Sequence, residues 1–311
     1  MNYPIFFDPK NTLHLFGHQD KFKFLSNLYE TKNLPKVIMF TGNKGFGKST
    51  LVNHLIFSIF DKEKYDKKEN TLSVNSNFLK QFKNNIFPNL IYFSGADFQA
   101  VKLEDIRNLK SRISQSTFLN KERFIILDDV EIFNHNCLNA LLKIIEEPTK
   151  NNYFFLINNK SKPLLETIKS RSLELKIYLS ETQRISVIEN LINLFKLNLI
   201  LDPKTPFLSP GNFIKFNYIC QENKILPTSD YLENLSLLLN LYKKNKDILF
   251  INLIFFLTDY YFNNLKEKNI LNDGKVYETK NYIFENLNKF MLYNINQNAL
   301  LNAINTKIKY E

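Results

Sequence analysis

The chain has 311 residues, a formal net charge of +10 at pH 7 and 44% hydrophobic residues. This length allows two or three domains with a sizeable core, and the composition excludes an intrinsically disordered chain. Cys137 and Cys220 are the only cysteines, which excludes a disulfide framework and a cysteine-rich zinc module. The basic charge is compatible with nucleic-acid binding, although the abundance of Lys, Asn, Ile and Phe is also what an AT-rich genome produces.

The first half of the chain alternates short apolar strands with helical patterns, which is typical of a parallel α/β sheet. The predicted strands are 36–41, 90–93, 123–128, 153–158 and 173–178, and the predicted helices include 49–60, 103–113 and 136–147. Because the strands are nearly continuous apolar runs, we expect them to be buried on both faces.

The strand pattern ends after residue 178. A helical pattern covers 180–195, a proline-rich turn region covers 201–212, and only helical patterns follow from about residue 223. We therefore predict an α/β domain, a small helical domain and an all-helical domain, at 1–178, 179–222 and 223–311.

The most apolar stretch, 248–258, is predicted to be a buried helix. It is too short to span a bilayer, which takes about 20 apolar residues. The first residues lack the charged start and apolar run of a secretory signal. We expect a cytoplasmic protein in a reducing compartment, with no membrane partner.

A phosphate-binding sequence lies between the first predicted strand and the helix that follows it. "GNKGFGKS", residues 42–49, fits the pattern G-x-x-x-x-G-K-[ST]. Its glycines let backbone N–H groups surround phosphate oxygens, and the helix adds its positive end. Lys48 is expected to reach the outer phosphates, and the Ser49 hydroxyl to ligate Mg²⁺. The predicted ligands are ATP and Mg²⁺, and the predicted nucleotide-binding residues are Gly42, Asn43, Lys44, Gly45, Phe46, Gly47, Lys48, Ser49 and Thr50.

Two aspartates end the strand at 123–128. Asp128 is predicted to bind Mg²⁺ together with Ser49; the alternative is a turn cap after the strand. Asp129 stands where many ATPases with this phosphate-binding sequence carry the glutamate that orients the attacking water. Aspartate is one methylene shorter, and a misplacement of about 1 Å can cost on the order of 10²-fold in rate. Glu131 lies two residues further on, and its side chain is expected to point elsewhere. Nucleotide binding is predicted, with weak hydrolysis by the chain alone.

Two later segments resemble a known family. "NCLNALLKIIEEP" (136–148), followed by "LETIKSRS" (165–172), resembles the N-A-L-L-K-x-x-E-E-P and S-R-C signatures of the sliding-clamp loaders, a branch of the AAA+ ATPases. The resemblance covers about residues 13–178, and extends more loosely through "LSPGNF" at 208–213. It implies an α/β AAA+ P-loop domain with a five-stranded parallel sheet, a helical lid and a C-terminal helical collar. It also implies a DNA polymerase III subunit that acts in DNA replication.

Three departures from the catalytic clamp-loader subunits, gamma and tau, argue against a self-sufficient ATPase. Those subunits carry a cysteine-rich zinc module where residues 61–85 of this chain contain no cysteine, so no zinc is expected. They carry Asp-Glu where this chain has Asp128 and Asp129. Their lid carries an arginine that senses the γ-phosphate, and the matching residue here is Asn212, with Lys215 as a partial substitute.

The resemblance assigns roles to two further side chains. Arg171 matches the S-R-C arginine, which in the family projects into the nucleotide site of a neighbouring subunit. A guanidinium suits this role because it stays charged and binds phosphate oxygens in pairs, and such a finger is typically worth ~10³–10⁵ in rate. The alternative is a surface arginine after a loop. Asn159, with Asn158 as the adjacent candidate, matches the first sensor; the alternative is an asparagine-rich turn.

The helix at 103–114 is a candidate DNA contact. Its apolar residues share one face, and Arg107 and Lys110 share the opposite, exposed face. In clamp loaders the corresponding helix lines the chamber that holds primed DNA, so these cations are expected to contact phosphates. The alternative is a solvated basic face.

As partners, the resemblance implies the gamma/tau and delta subunits of a bacterial clamp loader, primed DNA and, indirectly, the sliding clamp. One alternative is a self-sufficient motor subunit that uses Asp129 as a shortened catalytic carboxylate. Another is an unrelated P-loop protein, such as a nucleotide kinase or a DNA-repair ATPase.

Overall fold

The computed structural model describes residues 3–95, 101–206, 208–267, 273–293 and 295–309. The chain divides into two compact units. The first contains the described parts of Tyr3–Leu197 and Pro203–Ile214, and the second contains Asn198–Asp202 and the described part of Lys215–Glu311. The division into three domains stays a prediction, and Phe207 of its proline-rich turn region lies outside the described residues.

The first unit is built on a parallel sheet. The chain forms strands β1 (Val37–Thr41), β2 (Tyr65–Asp66), β3 (Thr71–Leu72), β4 (Leu90–Ser94), β5 (Arg123–Asp128), β6 (Asn152–Asn158) and β7 (Leu173–Lys176). Five of them form one sheet in the order β4-β5-β6-β1-β7, with every pair parallel, and β2 and β3 form a separate antiparallel pair. The predicted α/β fold with a five-stranded parallel sheet is confirmed.

Helices follow most of the strands. Those of the first unit are α1 (Gln19–Glu30), α2 (Lys48–Phe60), α3 (Asn77–Lys83), α4 (Leu103–Ser114), α5 (His135–Ile145), α6 (Glu166–Lys169) and α7 (Glu181–Phe195). Helix α8 (Pro210–Glu222) begins in the first unit and ends in the second. The second unit continues with α9 (Tyr231–Asn245), α10 (Ile248–Glu267), α11 (Asp273–Tyr293) and α12 (Gln297–Lys309).

Successive residues of the central strands point to opposite faces of the sheet. Ile38 and Phe40 join a core cluster with α1, α2 and α3, whereas Val37 and Met39 join a second cluster with α4 and α5. The same alternation holds along β5 and β6. The central strands are therefore buried on both faces, as their apolar sequences predict.

Strand β7 corrects this expectation. Its four residues are exposed or half-buried, and Leu173 is 47% exposed. The strand lies at the edge of the sheet beyond β1, and it carries Glu174 and Lys176. Charged side chains at an unpaired edge discourage pairing with other chains. The prediction of burial on both faces is wrong for this strand.

Within the described residues, α10 is the one helix that is long and apolar enough to cross a membrane by length and composition. Its residues Phe250, Ile251 and Ile254 are buried, and the helix packs against α9 and α11. The Tyr231 hydroxyl of α9 lies 2.8 Å from the Thr258 hydroxyl of α10. These contacts are those of the core helix of a helical unit, as predicted for 248–258.

Candidate nucleotide site

The loop between β1 and α2 has the backbone of a phosphate cradle. Gly45 has a φ of +85°, in the left-handed region that favours glycine. At Gly42, an added Cβ would lie 2.2 Å from the carbonyl oxygen of Ile177. Glycine is therefore required at position 42 because another backbone segment approaches closely, and at position 45 because the backbone has a positive φ. After the loop, Ser49 and Thr50 lie in the first turn of α2.

Lys48 is held inside this loop. Its side chain is 3% exposed, and its Nζ donates to the carbonyl oxygens of Gly42 and Asn43 at 2.7 Å each. Burial lowers the pKa of Lys48 to about 8. Nearby carboxylates oppose this shift, Asp128 most strongly, followed by Glu131. The loop thus holds a cation where phosphate oxygens can take the place of the two carbonyl partners.

Asp128 faces the start of α2. The Ser49 and Tyr92 hydroxyls each donate to its Oδ2 at 3.1 Å, and the Asp129 N–H donates to its Oδ1 at 2.9 Å. Burial, and then the charge of Asp129, raise the pKa of Asp128. A turn cap would need only the contact with the Asp129 N–H. The contact with Ser49 also brings together the two oxygen ligands predicted for Mg²⁺.

The donor set suits Mg²⁺ bound together with a nucleotide. Among the described residues, no group of three or more His, Cys, Asp and Glu side chains is placed to hold a metal ion. Mg²⁺ commonly takes one or two protein oxygens and completes its shell with phosphate and water. Ser49 and Asp128 could supply those protein oxygens, so the residues present fit ATP with Mg²⁺.

Asp129 is enclosed by polar partners. Its backbone is left-handed, with φ 52°, and its side chain is largely buried. Its Oδ1 accepts from Asn159 Nδ2 at 2.6 Å, and its Oδ2 lies 3.5 Å from Lys44 Nζ. Both carboxylate oxygens are therefore engaged. Asn158 accepts from the Lys160 N–H at 2.9 Å, so Asn159 is the asparagine that reaches the candidate site.

The Glu131 side chain points to the loop that follows β6, which agrees with the expectation that it points elsewhere than Asp129. Its Oε1 accepts from the N–H of Asn159 at 3.1 Å, and from the N–H and hydroxyl of Ser161 at 3.2 and 2.7 Å. Residues Val130–Ile132 form a 3₁₀ turn after the left-handed Asp129. The turn directs the carboxylate to the loop that follows β6.

Two buried side chains that sequence reasoning did not select hold the phosphate loop and the segment before α8. His18 is 2% exposed, and its Nε2 lies 2.7 Å from the Phe46 carbonyl oxygen. A carbonyl only accepts, so Nε2 carries the proton; burial lowers the pKa of His18. Arg184 of α7 donates to the Leu208 and Pro203 carbonyl oxygens at 2.9 and 3.2 Å, which holds the segment before α8. His18 lies in "LFGHQDKFKFL" (15–25), which also resembles the clamp-loader family, whereas no sequence motif marks Arg184.

The start of α8 touches the phosphate loop. The Gly211 N–H donates to the Gly45 carbonyl oxygen at 2.9 Å, and the Asn212 N–H donates to Ser209 Oγ at 3.4 Å. An added Cβ on Gly45 would lie 3.1 Å from the Asn212 nitrogen. Asn212 therefore lies beside the loop. Lys215 belongs to the second unit.

Arg171 lies in the turn between α6 and β7. Its guanidinium NH2 is 2.7 Å from Glu146 Oε1, and its NH1 donates to the Thr167 carbonyl oxygen at 3.0 Å. The side chain is 37% exposed. The first glutamate of the E-E-P segment thus contacts the arginine of "SRS", so the two motifs that carry the resemblance meet in space.

Helix α4 has the two predicted faces. Ile106, Leu109 and Ile113 are buried, whereas Arg107 and Lys110 are exposed. A groove of about 370 Å³ runs between α4 and α5. It is lined by Leu103, Ile106, Arg107, Lys110, Asn136, Asn139, Ala140, Lys143 and Ile144. Lys143, which sequence reasoning did not select, adds a third cation to this surface.

Comparison with known proteins identifies relatives of this chain. A family model described as DNA polymerase III, delta subunit, matches residues 17–180. The DNA polymerase III subunit delta-prime of Buchnera aphidicola subsp. Baizongia pistaciae is 25% identical over 147 residues, which are 45% of this chain and 43% of that protein. The delta-prime subunit of Pseudomonas aeruginosa is 34% identical over 74 residues, 24% of this chain and 23% of that protein.

A gamma subunit is also similar. The one from Buchnera aphidicola subsp. Schizaphis graminum is 24% identical over 186 residues, 57% of this chain and 48% of that protein. The chain therefore matches less than half the length of each of these three curated relatives.

Two solved structures from Thermotoga maritima also resemble this chain. A DNA polymerase III gamma subunit-related protein has a TM-score of 0.47 and 17% identity, over 92% of this chain and 97% of that chain. The RuvB Holliday junction branch migration motor has a TM-score of 0.44 and 15% identity, over 70% of this chain and 66% of that chain. The family match, in contrast, spans more than half of the chain. The chain therefore belongs to the DNA polymerase III delta-subunit family, as a member of its delta-prime clamp-loader group.

Proposed function

We propose that this chain is the delta-prime subunit of a bacterial DNA polymerase III clamp loader, and that it acts in DNA replication in the cytoplasm. It assembles with gamma/tau and delta subunits through a collar formed by α9 to α12. It contacts primed DNA, and the sliding clamp indirectly. Membership of the delta-prime group supports this proposal, as does the similarity to a gamma subunit.

The chain's own site binds ATP with Mg²⁺ but hydrolyses it slowly. Lys48 binds the outer phosphates, and Ser49 and Asp128 supply the protein oxygens for Mg²⁺. The observation that carries the proposal is the state of Asp129, whose two oxygens are both engaged, by Asn159 and by Lys44. A carboxylate that is short and already occupied is poorly suited to orient an attacking water.

Arg171 serves the nucleotide site of a neighbouring subunit. Its contacts with Glu146 and the Thr167 carbonyl fix the guanidinium in one orientation. A guanidinium has five N–H donors, and these contacts use only part of them. The exposed remainder can bind phosphate oxygens of another chain, where a fixed positive charge stabilises the transition state. In this account the chain supplies an arginine finger in trans.

Arg107 and Lys110 contact the DNA backbone. Both lie on the exposed face of α4 beside the groove that Lys143 also lines. Contacts from such cations to phosphates position a duplex without reading its sequence.

ATP hydrolysis by the isolated chain and by the assembled complex tests the division of roles. The isolated chain should hydrolyse ATP slowly. In the complex, Lys48→Ala should change total turnover little, whereas Arg171→Ala should lower it strongly. Lys169→Ala, which removes a nearby exposed cation that pairs with Glu166, is the matched control. Steady hydrolysis by the isolated chain, abolished by Lys48→Ala, would contradict the proposal and support a self-sufficient ATPase.

A further inference from the structure

Glu131 is a buried carboxylate with an uneven set of partners. Its side chain is 4% exposed. Its Oε1 accepts all three hydrogen bonds from the loop after β6, two of them from the backbone N–H groups of Asn159 and Ser161. Its Oε2 is buried and has no hydrogen-bond partner among the described residues. Most buried polar atoms have a hydrogen-bond partner. Here all three hydrogen bonds reach one oxygen from one loop, so that loop and the Glu131 carboxylate hold each other in place.

The loop that Glu131 holds is the one that reaches the nucleotide site. The Asn159 side chain donates to Asp129 Oδ1 at 2.6 Å, and Asp129 Oδ2 lies 3.5 Å from Lys44 Nζ of the phosphate loop. Glu131, Asn159, Asp129 and Lys44 thus form one continuous chain of contacts. Because the Asn159 backbone is bound by Glu131 while its amide binds Asp129, the direction of that amide depends on Glu131.

The electrostatic environment places Glu131 at the same site. Its negative charge raises the pKa of Lys48. This effect on Lys48 is smaller than that of Asp128 and larger than that of Asp129. Hydrogen bonds to an ionised carboxylate are stronger than those between neutral groups. A charged acceptor within the field of Lys48 can therefore hold the Asn159 loop more firmly than a neutral side chain could.

We propose that Glu131 is a positioning residue that fixes the Asn159 amide and thereby sets how strongly the site distinguishes ATP from ADP. The inference rests on the proposed nucleotide binding and adds a residue that acts through another. A neutral amide near the terminal phosphate can donate to an ATP oxygen that ADP lacks. Holding the amide in place favours ATP without changing the affinity for ADP.

Amide hydrogen exchange of the full chain without nucleotide tests the positioning itself. In Glu131→Ala, the amides of Asn159 and Ser161 should exchange faster than in the unmodified chain, because their acceptor is gone. Glu131→Gln keeps an acceptor oxygen but loses the charge, so exchange at both amides should lie between that of the unmodified chain and that of Glu131→Ala. Glu104→Ala, which removes an exposed acid of α4, should change neither amide. Unchanged exchange in folded Glu131→Ala would overturn the proposal.

Equilibrium binding of ADP and of a slowly hydrolysed ATP analogue, both with Mg²⁺, tests the consequence. Glu131→Ala should lower the ratio of ATP-analogue to ADP affinity about tenfold, the value of one hydrogen bond to a charged group. ADP affinity should change less than about twofold, and Glu131→Gln should keep the ratio within about threefold of the unmodified chain. Equal losses for both nucleotides, or an unchanged ratio, would overturn the proposal.

Ser161→Ala covers the case in which Glu131→Ala does not fold. It removes one of the three donors, and should raise exchange at Asn159 and lower the affinity ratio by a smaller step; no change in either would overturn the proposal. The unmodified chain separates the two levels of inference. If it binds neither nucleotide, the proposed nucleotide site fails and takes this role with it. If it binds both and the variants leave the ratio intact, only the role of Glu131 fails.

Discussion

His54 makes the stability of the α/β unit depend on pH. The residue is fully buried in α2, where Nδ1 lies 3.0 Å from the Tyr65 hydroxyl and Nε2 lies 3.1 Å from the Thr12 carbonyl oxygen. Because the carbonyl only accepts, Nε2 carries the proton and Tyr65 donates to Nδ1. Burial favours the neutral ring and lowers the pKa of His54 to about 3, outweighing the hydrogen bond to Thr12, which raises the pKa.

The size of the effect follows from the difference between the folded and unfolded states. An unfolded histidine has a pKa of about 6.5, so below that pH the unfolded chain binds a proton that the folded chain excludes. The stability that neutral His54 provides is fully present above about pH 6.5 and is lost as the pH falls towards 3. Between pH 7.5 and pH 5, this one group should lower the free energy of unfolding by about 2 kcal/mol.

Urea unfolding followed by circular dichroism at these two pH values measures the loss. His54→Gln can donate to Thr12 and accept from Tyr65 without titrating, so its free energy of unfolding should fall about 2 kcal/mol less on acidification than that of the unmodified chain. His135→Gln, which alters an exposed histidine, should behave like the unmodified chain. Equal pH dependence of His54→Gln and the unmodified chain would refute the reasoning.

Three further predictions concern the candidate sites. Gly42→Ala should lower the free energy of unfolding by about 3 kcal/mol, because its Cβ would meet a backbone oxygen at 2.2 Å. In Gly47→Ala the nearest neighbour of the Cβ would be a His18 ring atom at 3.4 Å, so urea unfolding should show a loss of only about 1 kcal/mol from backbone strain. Glu146→Ala should lower turnover by the complex up to about fivefold, because a partly exposed ion pair is worth at most about 1 kcal/mol; Glu147→Ala is the control, and equal effects of the two would contradict a specific contact with Arg171. Arg107→Ala with Lys110→Ala should weaken DNA-dependent clamp loading and lower its salt dependence by about one unit of slope per lost phosphate contact; unchanged loading would contradict the DNA contact.

The sheet was predictable because its signals are local. Apolar runs such as "RFIILD" fill both faces of a central strand, and the spacing of Ile106, Leu109 and Ile113 gives one buried helix face whatever surrounds it. The phosphate loop was predictable for the same reason. Its three glycines lie within six residues, and each allows a local backbone conformation or close approach that the motif requires. The edge position of β7 was not predictable from its own sequence, because strand order is set by contacts between distant segments.

The contacts of the candidate site depend on such distant segments. Glu131 reaches Ser161 across 30 residues, after a 3₁₀ turn that breaks the alternation of the strand. Arg171 meets Glu146 only once α5 and α6 have packed, although each lies in a motif that is visible in the sequence. The motifs gave the residues of the candidate site, and packing determined which of them touch.

The central claim is that the catalytic contribution of this chain lies in a neighbour's site. Single-turnover ATP hydrolysis by the assembled complex, with clamp and primed DNA present, tests it most directly through Arg171→Ala. The rate at the neighbouring site should fall by about 10³-fold or more, while that site still binds ATP. An unchanged rate in a fully assembled Arg171→Ala complex would contradict it.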